Sequence, residues 1–497
     1  MRLRSRAGNS TSPMDRTQPL DLPEIRMLIF QELSRRDLYS CLRVSKSWYT
    51  SALPLVWRHV IIIDDSERNP TFKSLQCQRH YIKSLDCQVP ITRKYVHLEF
   101  PGLETLSIRY LRRQPGLALS RFLALNPTLK RLCFESIYFD NDQSLVWKAV
   151  SKLPSLQELE CHGVNIYGQH WIACAPKLTK LIVRDSAISI GPFDRLQASI
   201  PTMKHLEMDL CNRRGSTIQE HLKFYAQYPA LQSLALNLIF CRRETGVNDA
   251  VSNEVARFFE ADTWPGLVDL DFGVVTMTDE GISKMLRALR NPVRIRLNTP
   301  DFGPAAFQEL RPHFSTLRRL DLANCPGFTS TMIVEVLESC PLLQELHGRQ
   351  IWANDIINSQ RWICQTSLEI FVAFIRFDFS HLTKLPPDSA EKIRAIFERL
   401  SGLTRLKKLD ISDTVYGRFW RSLDLRVGNG LELLASLHDM EEIHFQGTCQ
   451  AMGVRDLEWM GKHWPKLKDV KGMLNKNKKI DKKLTDMFFR IEEIQYI

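Results

Sequence analysis

Hydrophobic positions along this chain recur in a spacing that belongs to neither regular backbone period. In the stretch YPALQSLAL, residues 228–236, leucines stand at 231, 234 and 236, a step of three followed by a step of two, whereas a helix repeats every 3.6 residues and a strand every two. The stretch recurs as FPGLETL, NPTLKRL, LPSLQEL, APKLTKL, IPTMKHL, WPGLVDL, CPLLQEL and WPKLKDV, which makes nine variants of Pro-x-Leu-x-x-Leu. Proline-free copies stand at Ile82-Leu85-Cys87, Leu317-Leu320-Leu322, Leu406-Leu409-Ile411 and Met440-Ile443-Phe445. First anchors fall at 82, 103, 129, 156, 178, 203, 231, 267, 317, 343, 368, 406, 440 and 467, with a weak copy at Ile295-Leu297 filling the longest gap. The common step is about 25 residues, the length of one supersecondary unit in a repeat array.

This spacing predicts that the first apolar residue lies in a loop entering a short strand and that the next two alternate within the strand, so that all three point to one side. The return segments read as helices: residues 283–290 (SKMLRALR) and 332–340 (MIVEVLESC) carry apolar residues at helical spacing. One strand and one helix cannot bury their apolar sides, but many units side by side can, giving an α/β solenoid with a curved parallel sheet and outer helices. The recurrent proline falls where the chain leaves a helix that it cannot continue. Long steps after 231 and 368 predict an added helix in each, within CRRETGVNDAVSNEVARFFEADT and KLPPDSAEKIRAIFERLSG, and Pro386-Pro387 should end whatever precedes them.

Ahead of the repeats, residues 20–60 follow a different period. Ile25, Leu28, Ile29 and Leu33 make an apolar helical face after an early Pro23; Leu38, Cys41, Leu42 and Ser45 begin a second stripe, and Trp48, Ala52, Leu55 and Val56 a third. Three short helices in about 40 residues enclose a small core. An apolar face left over for a partner is the expected outcome.

Both parts resemble known families. The repeats are similar to leucine-rich repeats, and residues 317–346 resemble their cysteine-containing subtype, with Leu322, Cys325, Phe328, Thr329, Leu337, Cys340 and Pro341 at the subtype's inward or turn positions. Leu22-Pro23-Glu24-Ile25, Ile29, Leu33, Asp37-Leu38, Val44-Ser45-Lys46, Trp48 and Leu55-Val56-Trp57-Arg58 resemble the F-box, with Cys41 in place of a more usual aliphatic residue. That resemblance implies docking on a Skp-type adaptor and, through it, recruitment to a cullin–RING ubiquitin ligase. Carried over by position, Leu22, Pro23, Ile25, Ile29, Leu33 and Leu38 are the expected adaptor contacts, while Trp48 and Trp57 pack the module. The implied organisation is a disordered basic tail at 1–18, the F-box at 20–60, a linker or cap at 61–80, repeats at 81–474 and a basic tail or cap at 475–497.

Composition narrows the remaining possibilities. The 497 residues are 44% hydrophobic and 25% charged, an ordinary globular balance. No apolar run is long enough to cross a membrane and the first residues hold no apolar stretch, so neither a transmembrane helix nor a secretory signal is expected. Twelve cysteines without a CxxC pair fit a reduced compartment, cytoplasmic or nuclear. Net charge is +11, with four arginines against one aspartate in residues 1–16 and six lysines against one aspartate in residues 471–483. These ends read as solvated tails in preference to a nucleic-acid or phospholipid contact.

Candidate chemistry is sparse. Phosphate-loop, dinucleotide and nucleophile-elbow motifs are all missing. Cys161-His162 with His170 and Cys174 looks like a ligand cluster, but Cys161 is a repeat anchor and should point into the core, so no metal or cofactor is expected. Cysteines 87, 133, 161, 211 and 325 read as small buried hydrophobes, and His205, His347 and His444 as exposed strand residues. The chain reads as a non-enzymatic, monomeric substrate receptor of an adaptor–cullin ubiquitin ligase; the alternative is a repeat scaffold unconnected with ubiquitin. For the target protein, the residues beside the strand anchors define one surface, on which His205, Glu207, Asp209, Asp269 and Asp271 form an acidic patch next to Arg294, Arg296, Arg319 and Asp321.

Overall fold

The computed structural model describes residues 22–63, 69–91, 95–110, 114–139, 143–164, 177–186, 202–209, 222–223, 225–237, 249–273, 277–378, 386, 388–413 and 422–495. The chain divides into two units, Met1–Leu178 and Thr179–Ile497.

The first unit begins with three helices. Helix α1 (Pro23–Glu32) starts on Pro23, whose missing N–H had no helical partner. Helix α2 (Arg35–Cys41) is capped by Ser34, and α3 (Lys46–Arg58) by Ser45, whose hydroxyls accept from the amides of Asp37 and Trp48 at 3.3 and 3.2 Å. Ser45 is therefore an exposed cap and not part of an apolar stripe, as the sequence pattern had it. Phe30, Leu38, Cys41, Ala52 and Val56 form the core, with Trp48 and Trp57 packed against it. The rings of Phe30 and Trp48 meet edge to face at 5.3 Å.

Helix α3 runs directly into strand β1 (His59–Ile62), so the sheet begins at the end of the segment expected to be the F-box and runs into the expected linker. Helix α4 (Phe72–Cys77), β2 (Ser84–Cys87), β3 (Thr105–Arg109), α5 (Gly116–Leu125), β4 (Arg131–Glu135), α6 (Gln143–Ser151) and β5 (Glu158–His162) follow. Strands β1 to β5 pair in parallel, each with the next in sequence. Buried amides pin the loops between them: Asn126 accepts from the Phe100 amide at 2.8 Å and donates to the carbonyls of Leu98 and Phe122, leaving no polar atom of that side chain uncompensated.

The second unit repeats the pattern: β6 (Lys180–Arg184), β7 (His205–Asp209), β8 (Ser233–Asn237), α7 (Asp249–Glu260), β9 (Asp269–Gly273), α8 (Asp279–Ala288), β10 (Arg294–Leu297), α9 (Pro304–Leu310), β11 (Arg319–Asp321), α10 (Ser330–Ser339) and β12 (Glu345–Trp352). Then come α11 (Ala353–Asn358), β13 (Ile370–Arg376), α12 (Ser389–Ser401), β14 (Lys408–Asp410), β15 (Glu442–His444), α13 (Val454–His463), β16 (Asp469–Lys471) and α14 (Lys478–Gln495). Strands β6 to β16 are parallel and paired in sequence order. Both long steps contain a helix, α7 and α12. Helix α14 occupies the basic C-terminal segment and buries Leu484.

The three-then-two spacing has the expected cause. Leu231 lies in the loop before β8, Leu234 and Leu236 alternate within it, and all three are buried. Every first anchor from Ile82 to Leu467 is buried in the same way. One assignment changes: Ile295 pairs with Leu270 and Leu320, which makes it the second anchor of its unit, and buried Pro292 takes the first position. In the cysteine-containing unit Leu322, Cys325, Phe328, Leu337 and Cys340 are buried and Thr329 caps α10. A side chain at Gly327 would strike the carbonyl oxygen of Phe302, so only glycine lets these turns stack. This is the leucine-rich-repeat fold. Among the described residues no helix is long and apolar enough to cross a membrane.

Candidate functional site

The helical module turns much of its apolar surface outward. On α1 the residues facing the core are Phe30 and, one turn earlier, Arg26, which is 5% exposed. The stripe Ile25, Leu28 and Ile29 lies on the other side: Leu22, Ile25 and Leu28 are 44%, 36% and 62% exposed, Pro23 is exposed, and Ile29 and Leu33 are half-buried at the border of the core. The apolar stripe of the sequence is thus real but faces away from the module's interior. Leu38 departs from the expected set of contacts, because it is 8% exposed and belongs to the core. Other apolar side chains, not named among the expected contacts, are well exposed: Leu28, Tyr39, Val44 and Tyr49. Buried Arg26 has no hydrogen-bond partner for Nε and Nη1 among the described residues.

In the second unit, the strand face opposite the buried anchors carries two rows in register. One runs His205, Ser233, Asp269, Arg294, Arg319, Glu345; the other runs Glu207, Ala235, Asp271, Arg296, Asp321, His347. The structure brings the proposed target-binding residues onto one face but does not leave them as opposed patches. Arg294 pairs with Asp269 at 3.4 Å, and Arg296 with both Asp271 and Asp321 at 3.2 Å. Arg319 pairs with Glu345 at 3.1 Å, and Arg184 with Glu207. Strands spaced about 4.8 Å apart place each charge within reach of its neighbour's, and each of these arginines has an acid on at least one adjacent strand, although Arg294 and Arg319 also stand side by side. Burial pushes the Asp271 carboxyl above its ordinary range against the pull of Arg296, and burial with Lys180 pushes the His205 imidazole down. Asp209 closes its strand, and its side chain lies outside the described residues.

Farther along the same sheet, His444 is 5% exposed instead of lying on the surface. Its Nδ1 lies 3.3 Å from Asp410 and its Nε2 3.1 Å from Asp469. Lys408 and Lys471 neutralise the adjacent Glu442 and Asp469 at 2.9 and 2.5 Å. Despite a penalty from burial, hydrogen bonds from Lys471 and His444 hold the Asp469 carboxyl below its usual range.

The sequence-local group of Cys161, His162, His170 and Cys174 does not assemble as such. Cys161 is fully buried on the core side, and His170 and Cys174 lie outside the described residues. His162 instead shares a face with Glu160 and Cys133, whose donor atoms all lie within 4.8 Å of one another. Cysteines 87, 133, 161 and 325 are buried, and burial lifts the Cys87 thiol to about 12 and that of Cys133, beside Glu160, to about 11. Cys211 lies outside the described residues.

A family model described as F-box-like matches residues 21–63. A search of curated proteins finds no match. Among solved structures, a leucine-rich-repeat protein of Leptospira interrogans aligns over 84% of this chain and 96% of its own at 14% identity, with a TM-score of 0.40. The yeast Rad7–Elc1 complex aligns over 73% and 91% at 13% identity with a TM-score of 0.41, and the TLR13–ssRNA13 complex over 81% and 57% at 14% with 0.44. Likenesses of this degree carry nothing about function. Residues 21–63 are an F-box-like domain, and it stands ahead of strands and helices arranged in the leucine-rich-repeat fold.

Proposed function

We propose that this chain is the target-binding subunit of an adaptor–cullin–RING ubiquitin ligase, docking on a Skp-type adaptor through its F-box-like domain and holding the target protein on its repeats. F-box domains generally bind Skp-type adaptors. The observation that carries the reading is the exposed apolar stripe of Leu22, Ile25 and Leu28 on α1, set on a domain whose own core is already complete without it. Such a patch marks an interaction site on a small domain. On this reading the chain supplies no catalytic group, and transfer of ubiquitin belongs to its partners.

The paired charges of the repeat face fit a surface that orients a protein partner by sign and spacing more than by raw affinity. Co-purification of the full chain with a Skp-type adaptor and a cullin tests the proposal. Recovery of both, lost together on substitution of Leu22 and Ile25 by alanine, supports it; recovery of the adaptor without any cullin would make the chain a repeat scaffold instead.

A further inference from the structure

Strands β4 and β5 bring together three different donor types. Their register sets Cys133 beside Glu160 and Glu135 beside His162. Alternate positions share a face, so Cys133, Glu160 and His162 stand opposite the anchors Leu132, Phe134, Leu159 and Cys161. Central positions of both strands are buried on both faces: Cys133 and Glu160 lie below the surface and His162 is half-buried at the rim. We propose that Cys133, Glu160 and His162 form a three-ligand site for a zinc-class divalent cation.

The donor set is the argument. A thiolate and an imidazole with one carboxylate suit zinc, whereas magnesium and calcium take oxygen alone. Donor atoms within 4.8 Å of one another need side-chain rotations of about 1 Å to reach tetrahedral spacing around bonds of roughly 2.0–2.3 Å. Arg131 donates to one oxygen of Glu160 at 2.8 Å, and such an outer hydrogen bond orients a ligand. The Cys133 thiol and the His162 imidazole make no hydrogen bond or ion pair among the described residues, so the cation would displace only the thiol proton, to solvent.

The second such group, Glu442, His444 and Asp469, shows the contrast. There both imidazole nitrogens face carboxylates and two lysines already neutralise the acids. Its polar atoms are committed to one another, whereas the Cys133 group has a soft donor and a nitrogen to spare.

Titration of the purified, chelator-treated full chain with Co2+ tests the site. The expected result is a thiolate-to-cobalt charge-transfer band that saturates at one equivalent, is displaced by Zn2+, and persists in Cys340→Ser. Cys133→Ser should abolish the band, and His162→Gln should weaken binding by about tenfold or more. Should Cys133→Ser fail to fold, alkylation of the wild-type chain followed by peptide mapping gives the same answer: stoichiometric Zn2+ should protect Cys133 and leave exposed Cys77 reactive. Absence of the band in the wild type, a band undiminished in Cys133→Ser, or no protection of Cys133 by Zn2+ would overturn the proposal.

Discussion

The F-box-like domain and the repeat sheet of the second unit solve opposite surface problems. In the domain, about 40 residues close a core around Phe30, and the apolar side chains that do not fit inside, Leu22, Ile25 and Leu28, stay exposed among the described residues. In the sheet, most outward strand positions from β9 to β11 are charged, and each of the arginines there meets an acid one strand away. The first surface gains free energy only when something covers it. The second is already satisfied, and a partner there must match a pattern of sign before it gains anything. A small domain with surplus apolar surface suits constitutive docking; a self-neutralised sheet suits selective recognition.

The comparison breaks first at Phe30. Phe30→Ala should cost the domain about 3–5 kcal/mol, since it empties the centre of the core and strands Trp48. Hydrogen exchange should then show protection lost over residues 23–58 and kept in β7 to β16, with adaptor binding lost as a consequence. Leu38 sharpens the boundary between core and contact. Leu38→Ala should destabilise the same helices by about 2–4 kcal/mol, and its effect on adaptor binding should follow the unfolded fraction as temperature is lowered. A loss of binding that persists in the fully folded variant would return Leu38 to the contact surface.

On the sheet the effects are smaller. Arg296→Ala removes the partner of both Asp271 and Asp321, and as these groups are partly exposed the cost should be about 0.5–1 kcal/mol. Its pH dependence is more telling. Because burial lifts the Asp271 carboxyl, the folded chain keeps a proton that the unfolded chain has released, and stability falls as pH rises from the ordinary carboxylate value through the raised one. Without Arg296 the lift grows, so the fall should extend to higher pH than in the wild type when the melting temperature is followed across that range. Lys466→Ala, which removes a fully exposed partner of Asp439, should leave the melting temperature unchanged within error at every pH.

Much of this was legible in the sequence, because a repeat states its own register. The three-then-two spacing located the strands, and the buried first anchors follow from it. Pro292 was missed because a proline replaced the expected leucine, which shifted attention three residues on to Ile295. The direction of α1 was harder: Ile25, Leu28 and Ile29 announce an apolar face, but only packing shows that Phe30 fills the core, that Ile29 borders it and that Ile25 and Leu28 are left outside. The charged rows were placed on one face correctly, yet their pairing depends on which strands are neighbours, and that turned two patches into a ladder. His444 was misjudged for the same reason, its cover coming from residues 25 and 34 positions away. The Cys133, Glu160 and His162 group was overlooked by searching along the chain; in the aligned repeats Cys133 and Glu160 occupy the same column, four residues after Leu129 and Leu156.

The central claim is that the exposed stripe of α1, and not the domain's core, captures the adaptor. Its most direct test is the equilibrium affinity of the full chain for a Skp-type adaptor, measured for the wild type and for the combined variant Leu22→Ala, Ile25→Ala and Leu28→Ala, with hydrogen exchange over residues 23–58 as the control for folding. Loss of a clustered apolar anchor of this kind should cost about 3 kcal/mol or more, a drop in affinity of at least about 100-fold, with protection unchanged. Wild-type affinity in a folded triple variant would contradict the account.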